Sequence, residues 1–139
     1  MKVSLVTVTF NSDQTLRDTI QSVLNQTYSD IEYIIIDGLS KDNTVDIIRK
    51  CEPLFQGRLK WISERDNGLY DAMNKGIRMS TGEIVGIINS DDFYHRRDII
   101  SRVVEAFRNE KTQAVYGDVR FVNPDNLDKT VRYYSSRNF

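Results

Sequence analysis

Two adjacent carboxylates, Asp91 and Asp92, follow the run Ile84-Val85-Gly86-Ile87-Ile88, with only Asn89 and Ser90 between. A run of this kind reads as a buried strand, so the pair stands where such a strand ends. Two ionised carboxylates about 4 Å apart repel by roughly 4 kcal/mol at an effective dielectric of about 20. A proton, a basic side chain or a cation must offset that repulsion. Oxygen donors including one or two carboxylates are what Mg²⁺ or Mn²⁺ takes when phosphates complete its shell. A cation held in this way can neutralise a diphosphate as it becomes a leaving group. The structural alternative is that Asp91 caps the following helix and Asp92 is solvated.

Other polar residues follow strand-like runs in the same way. Asp37 comes after Ile31-Glu32-Tyr33-Ile34-Ile35-Ile36. Ser40 and Asp42 are better placed to cap the next helix. That leaves Asp37 without a structural task and able to accept a hydrogen bond from a base N–H or a ribose hydroxyl. Asp66 and Asn67 precede Gly68, where a turn explains them as well as function does. Asp71 and Lys75 form an i,i+4 pair that a surface salt bridge would explain. Asn74 projects near the same rim if its helix points into the site. His95 reads as a surface residue.

The elements that must position these residues alternate in type. Residues 2–10, 31–36, 59–63, 83–89 and 113–122 read as strands, and 129–134 as the hairpin partner of the last. Helical periodicity places helices near 16–26, 45–52, 69–79 and 98–107. Tyr70, Met73 and Ile77 are expected to face inward from the third helix. Asn11, Ser12 and Asp13 are expected to cap the first. Strands alternating with helices imply an α/β fold, a Rossmann-like doubly wound, mostly parallel sheet with helices on both faces. In such a sheet ligands bind outside the carboxyl ends of the strands. That rim collects Thr9, Phe10 and Asn11, then Asp37, then Glu64 and Asp66, then Asn89, Ser90, Asp91 and Asp92.

Composition excludes several classes. The 139 residues suit a single domain, 1–139. A net charge of −1 gives no argument for nucleic acid as a partner. No apolar run approaches a membrane span, and Met1–Asn11 lacks the pattern of a signal peptide. The single cysteine, Cys51, allows no internal disulfide, and an intracellular site is the simplest expectation. One Cys and one His cannot make a zinc site of the usual kind.

Together the stretches 3–11, 22–44, 63–77, 81–92 and 115–119 resemble the family 2 glycosyltransferases of the GT-A fold, in the family's order. The most similar subset is the bacterial group that builds surface polysaccharides, such as colanic acid transferases. The resemblance implies a domain that binds a nucleotide-diphosphate sugar through Mn²⁺ or Mg²⁺. The sugar would pass, with inversion, to a saccharide or lipid-linked saccharide acceptor. Thr9 and Phe10 would line the base pocket, beside Asn11. Asp37 would meet base or ribose, and Asp66 and Asn74 would border the donor. Asn89-Ser90-Asp91 stands for the family's Asp-x-Asp motif, with Asp91 ligating the metal and Asp92 beside it.

Two positions depart from the family pattern. Asn89 replaces the first aspartate, and Gly38 stands where many relatives carry a second carboxylate that meets the base. The family's catalytic carboxylate base is expected beyond Phe139, making 1–139 the donor-binding part of a longer transferase. The implied location is cytoplasmic, with peripheral association at the inner membrane surface. Two alternatives share parts of the pattern. A Mg²⁺-binding receiver domain would need an acidic pair after the first strand, where Phe10-Asn11-Ser12 stands. A sugar nucleotidyltransferase would need a Gly-rich basic loop there.

Overall fold

The computed structural model describes residues 1–138. They form two compact units, Met1–Val104 and a second from Glu105 onward. Four parallel strands make the sheet of the first unit: β1 (Val3–Thr9), β2 (Ile31–Asp37), β3 (Leu59–Ser63) and β4 (Ile84–Ile87). Their order is β3-β2-β1-β4. All seven residues of β1 and all seven of β2 are buried. Unbroken apolar runs therefore become the two central strands, covered on both faces. Helices α1 (Leu16–Leu24), α2 (Thr44–Cys51) and α3 (Leu69–Met79) connect them.

Register fixes which side chains share a face. Val3 pairs with Ile31 and Val6 with Ile34, so odd positions of β1 and β2 lie together, and even positions oppose them. On the odd face Tyr33 packs on Phe55, in the short 3-10 turn after α2, with ring centroids 5.4 Å apart. On the even face Val6, Val8, Ile34 and Ile36 pack against Ala72 of α3. Helices thus cover both faces. The chain moves outward from β1 through β2 to β3, then returns past them to β4 on the other side of β1. The strand order reverses between β1 and β4, which makes a crevice at their carboxyl ends.

The inner face of α3 differs from expectation. Tyr70 and Ile77 are 79% and 44% exposed, while Ala72 and Gly76 are buried. Met73 is partly buried against the core, as expected. The reason is close approach. A Cβ on Gly76 would lie 2.3 Å from Val6 Cγ1, so only a glycine lets α3 settle onto β1.

At the amino end of the sheet Glu32 is nearly fully buried. It accepts hydrogen bonds from Ser4 Oγ at 2.5 Å, Thr81 N at 2.5 Å and Lys60 Nζ at 3.2 Å. Lys2 Nζ also lies 3.2 Å away. A buried carboxylate persists only with such partners.

Helix α4 (Ile99–Phe107) follows the loop after β4. Farther along, β5 (Val119–Asn123) and β6 (Asn126–Tyr134) make an antiparallel hairpin in a sheet of their own. The hairpin partner is as expected, but β5 is shorter than 113–122, and residues 113–118 are not strand. Asp118 holds the hairpin end. It accepts hydrogen bonds from Tyr133 Oη, from Ser136 N at 2.8 Å and from Ser136 Oγ at 2.8 Å. The Tyr133 bond and those from Ser136 bring its pKa down to about 2. Among the described residues, no helix is long and apolar enough to cross a membrane.

Candidate functional site

Three loops meet at the carboxyl rim of the first unit, and hydroxyls and carboxylates join them. Asn11, Ser12 and Asp13 do not cap α1, whose cap position is Thr15 and has no side-chain cap bond. They face the loop after β2 instead. Asn11 Oδ1 accepts from Lys41 N at 2.8 Å, and Asn11 N donates to Ser40 Oγ at 2.8 Å. Ser12 N donates to Thr44 Oγ1 at 2.8 Å. Asp13 meets the same loop twice: Asp13 N donates to Asp42 Oδ2 at 3.2 Å, and Asp13 Oδ2 accepts from Asn43 N at 3.3 Å. Asp42 also takes the amide of Thr44, and its pKa is lowered; desolvation opposes this, and the bonds from Thr44 and Asp13 outweigh it. Asn11 has a φ of 47°, a left-handed conformation that asparagine tolerates better than most residues.

The loop after β4 joins the same assembly. Ser12 Oγ and Ser90 Oγ share a hydrogen bond of 3.0 Å. Thr19 Oγ1 of α1 donates to the Asp92 carbonyl at 2.6 Å, and Asp92 N donates to the Asn89 carbonyl at 3.1 Å. The turn that presents Asp91 and Asp92 is therefore fixed from two sides. Helix α4 does not begin until Ile99, so Asp91 caps no helix. Both residues are exposed overall, but the Asp92 carboxyl is partly desolvated. The pKa of Asp92 is raised, first by burial and then by the charge of Asp91, with Asn89 opposing.

Asp37 departs from the sequence expectation. It is completely buried. Its Oδ2 accepts from Ser63 Oγ at 2.6 Å and Ser40 N at 3.1 Å, and its Oδ1 accepts from Ser40 Oγ at 2.5 Å. Asp37 therefore has a structural task, joining β2, the loop after it and β3. Thr9 is the opposite case. It is 5% exposed, and its Oγ1 has no hydrogen-bond partner among the described residues. A buried hydroxyl left unpaired at a strand end is costly and marks a place where a ligand or water completes the structure.

Phe10 stands beside Thr9 and is 60% exposed. A Cβ on Gly38 would lie 2.7 Å from Asp66 Oδ2 and 3.5 Å from Phe10 Cδ2. Phe10, Gly38 and Asp66 are thus neighbours, and the Asp66 carboxylate fills space that a side chain at position 38 would take. Lys75 anchors the loop that carries Asp66. Its Nζ meets Glu64 Oε1 at 3.1 Å, Asp71 Oδ2 at 3.4 Å and the Arg65 carbonyl at 2.9 Å. Asn67 N donates to Asp71 Oδ2 at 3.0 Å. The Asp71–Lys75 pair is therefore more than a surface salt bridge. Asn74 is exposed on α3, and among the described residues no hydrogen bond joins it to the rim.

The rim so assembled holds an exposed ring, an unpaired buried hydroxyl and an acidic pair, all at the topological switch point. The sequence model described as "Glycosyl transferase family 2" matches residues 4–138. This chain belongs to that family. Membership sets aside the receiver and nucleotidyltransferase alternatives. An uncharacterized glycosyltransferase of Mycobacterium tuberculosis is 41% identical over 105 residues, covering 75% of this chain and 39% of the relative. A PGL/p-HBAD biosynthesis glycosyltransferase of Mycobacterium bovis is 34% identical over 117 residues, 84% of this chain and 46% of that protein. The chain spans less than half the length of these relatives.

Solved structures share the fold. S. aureus TarS 1–349 in complex with UDP-GlcNAc superposes with a TM-score of 0.71 at 22% identity, over 78% of this chain and 31% of TarS. The mannosyltransferase PcManGT of Pyrobaculum calidifontis, in complex with GDP-Man and Mn²⁺, gives 0.70 at 23% identity, over 91% of this chain and 37% of its own. The parallel four-stranded sheet between helices is the GT-A fold.

The sequence foresaw the rim but not what holds it. Ser12, Thr19, Ser40 and Ser63 carry the hydrogen bonds that fix the loops. Their only signal in the sequence is a hydroxyl three residues past a strand end for Ser12 and Ser40, at the strand end itself for Ser63, and on the first turn of α1 for Thr19.

Proposed function

We propose that residues 1–104 form the donor site of a hexosyltransferase that takes a nucleotide-diphosphate sugar through Mn²⁺ or Mg²⁺. The observation that carries this is the meeting of the unpaired Thr9 hydroxyl, the exposed Phe10 ring and the Asp91–Asp92 pair at the β1/β4 crevice. The base stacks on Phe10 near Thr9 and Asn11. The ribose and diphosphate lie toward Asn89-Ser90-Asp91, with Asn74 bordering the sugar.

The donor set fits a hard divalent cation. Among the described residues no group of three or more His, Cys, Asp and Glu could hold a metal. Two carboxylates with oxygens supplied by a diphosphate match how Mg²⁺ and Mn²⁺ bind. When bound, the cation would supply charge neutralisation of the departing diphosphate. Asp91 and Asp92 would hold it, Asn89 would limit the charge they bring, and Ser12 and Thr19 keep their turn in place. The sugar passes, with inversion, to a saccharide or lipid-linked saccharide acceptor at the cytoplasmic membrane face during envelope polysaccharide synthesis. The relatives' named role in glycosyl transfer supports the transfer reaction.

The test is thermal unfolding with UDP or GDP, with and without Mn²⁺. Nucleotide at about 100 times its dissociation constant adds about 2.7 kcal/mol of stability. Metal and nucleotide together should raise Tm more than the sum of either alone. Equal shifts with and without Mn²⁺ overturn the metal-assisted site.

A further inference from the structure

One face of the hairpin in the second unit carries aromatic rings and a cation that the hairpin itself does not bury. Strand register sets Val119 opposite Tyr134, Phe121 opposite Arg132 and Arg120 opposite Tyr133. Directly paired residues share a face. Val119, Phe121, Arg132 and Tyr134 therefore lie on one side, and Arg120 and Tyr133 on the other. Val119, Phe121 and Tyr134 are each about half exposed. They border a cavity of about 560 Å³ whose lining includes Ser135 and Ser136. The Phe121 and Tyr134 rings meet edge to face, with centroids 5.8 Å apart. Arg132 Cζ lies 5.9 Å from the Tyr134 centroid, and Arg132 Nη1 donates to Tyr134 Oη at 3.2 Å. Among the described residues no carboxylate forms a salt bridge with Arg132.

We propose that this face binds the saccharide acceptor, and that the acceptor carries a carboxylate or phosphate group. The inference rests on the sugar-transfer reading above. A sugar ring has an apolar face of C–H groups and a belt of hydroxyls. Exposed aromatic rings match the first, and serine hydroxyls match the second. A guanidinium stacked on an aromatic ring offers its remaining N–H groups as a fork for carboxylate or phosphate. The local charge agrees. Residues 119–137 hold Arg120, Lys129, Arg132 and Arg137 against only Asp125 and Asp128. Asp118 is engaged by Tyr133 Oη and by Ser136 N and Oγ, which fixes the serine edge of the cavity before a ligand arrives. A lipid surface would suit a projecting apolar edge, whereas these rings line a hollow.

The experiment is a chemical-shift titration of the whole chain with a glucuronate-terminated disaccharide, its neutral glucose counterpart, glucose 1-phosphate and inorganic phosphate. The charged sugars should bind about tenfold or more tightly than the neutral one, as expected for hydrogen bonds to a charged group. Arg132→Ala should bring charged and neutral sugars within about a factor of three of each other while the neutral one still binds, a pattern that unfolding would not produce. Phe121→Ala should weaken all three sugars by about tenfold. Arg120→Ala, on the opposite face, should leave them unchanged. Charged and neutral sugars bound equally by wild type, or discrimination retained in Arg132→Ala, overturns the inference. Inorganic phosphate bound as tightly as glucose 1-phosphate also overturns it, by marking a bare anion site. Anionic lipid vesicles and sedimentation test the other occupants. Vesicle binding or dimerisation abolished by Phe121→Ala assigns the face to a membrane or to a second copy, and overturns the inference. The thermal shift with UDP and Mn²⁺ keeps the two readings apart. A nucleotide shift without saccharide binding overturns this inference alone, and saccharide binding without a nucleotide shift overturns the donor site alone.

Discussion

Ser12 and Ser90, 78 positions apart in sequence, share a hydrogen bond of 3.0 Å between their hydroxyls. The bond crosses the place where strand order reverses, and it ties the turn bearing Asp91 to the loop after β1. That loop is in turn tied to the one after β2 through Asn11 and Asp13. A ligand reaching from base to diphosphate would touch both sides of this seam. Rigidity here keeps the two ends of such a ligand in register without new ordering cost.

Asp37 is expected to matter for stability first. Its carboxylate takes three hydrogen bonds and is fully buried. Removing it by Asp37→Ala leaves Ser63 Oγ and Ser40 N without their acceptor, at a cost of about 3 kcal/mol. Urea unfolding should show a lower midpoint with an unchanged slope. A midpoint equal to wild type would mean that the loop re-forms its bonds without the carboxylate.

Glu32 sets an acid limit. Burial alone would raise its pKa, but hydrogen bonds from Ser4, Thr81 and Lys2 pull it well below the ordinary carboxylate range. A pKa depressed on folding contributes stability above the unfolded value, about 4.3. That contribution is lost as pH falls further toward the folded value. Wild type should therefore lose stability between about pH 5 and pH 3 more steeply than Glu32→Gln, whose neutral amide does not titrate. Parallel pH profiles for the two proteins would remove Glu32 from the acid transition.

The sheet was readable in the sequence because β1 and β2 are long apolar runs, and such runs have few other uses in a chain of this size. The acidic pair was readable for a related reason: charges beside a strand end stand out. Asp37 was not. Its partner Ser63 lies 26 positions away on β3, and nothing local announces the bond. The inner face of α3 also misled, because periodicity counts large apolar residues such as Tyr70 and Ile77. Ala72 and Gly76 meet the sheet because their small size permits close approach, which a hydrophobic pattern does not score.

Gly76 offers a packing test. An added methyl would lie 2.3 Å from Val6 Cγ1 and 3.4 Å from Ile36 Cγ1. Gly76→Ala gains up to about 1 kcal/mol of helix propensity. Overpacking of this kind typically costs about 1–3 kcal/mol, so the net effect should be destabilising. Val6→Ala opens the space the methyl needs. The double variant should therefore be more stable than the sum of the two single changes predicts, by about 1 kcal/mol or more. Strict additivity would show that α3 simply shifts outward.

Asp91→Asn separates a metal ligand from a surface carboxylate. Asp91 begins no helix, so loss of a cap cannot account for any effect. The substitution keeps size and shape while removing one negative charge beside Asp92, whose pKa is raised first by burial and then by that charge. Without metal the variant should be as stable as wild type or slightly more so, since the repulsion is relieved. With Mn²⁺ and UDP it should bind at least about tenfold more weakly, because a cation held by so few protein oxygens loses much of its charge complement. Asp128→Asn, on β6 in the second unit, is the control and should leave binding unchanged. Calorimetric titration of the three proteins decides the matter. Wild-type affinity in Asp91→Asn would leave the acidic pair without a cation to hold.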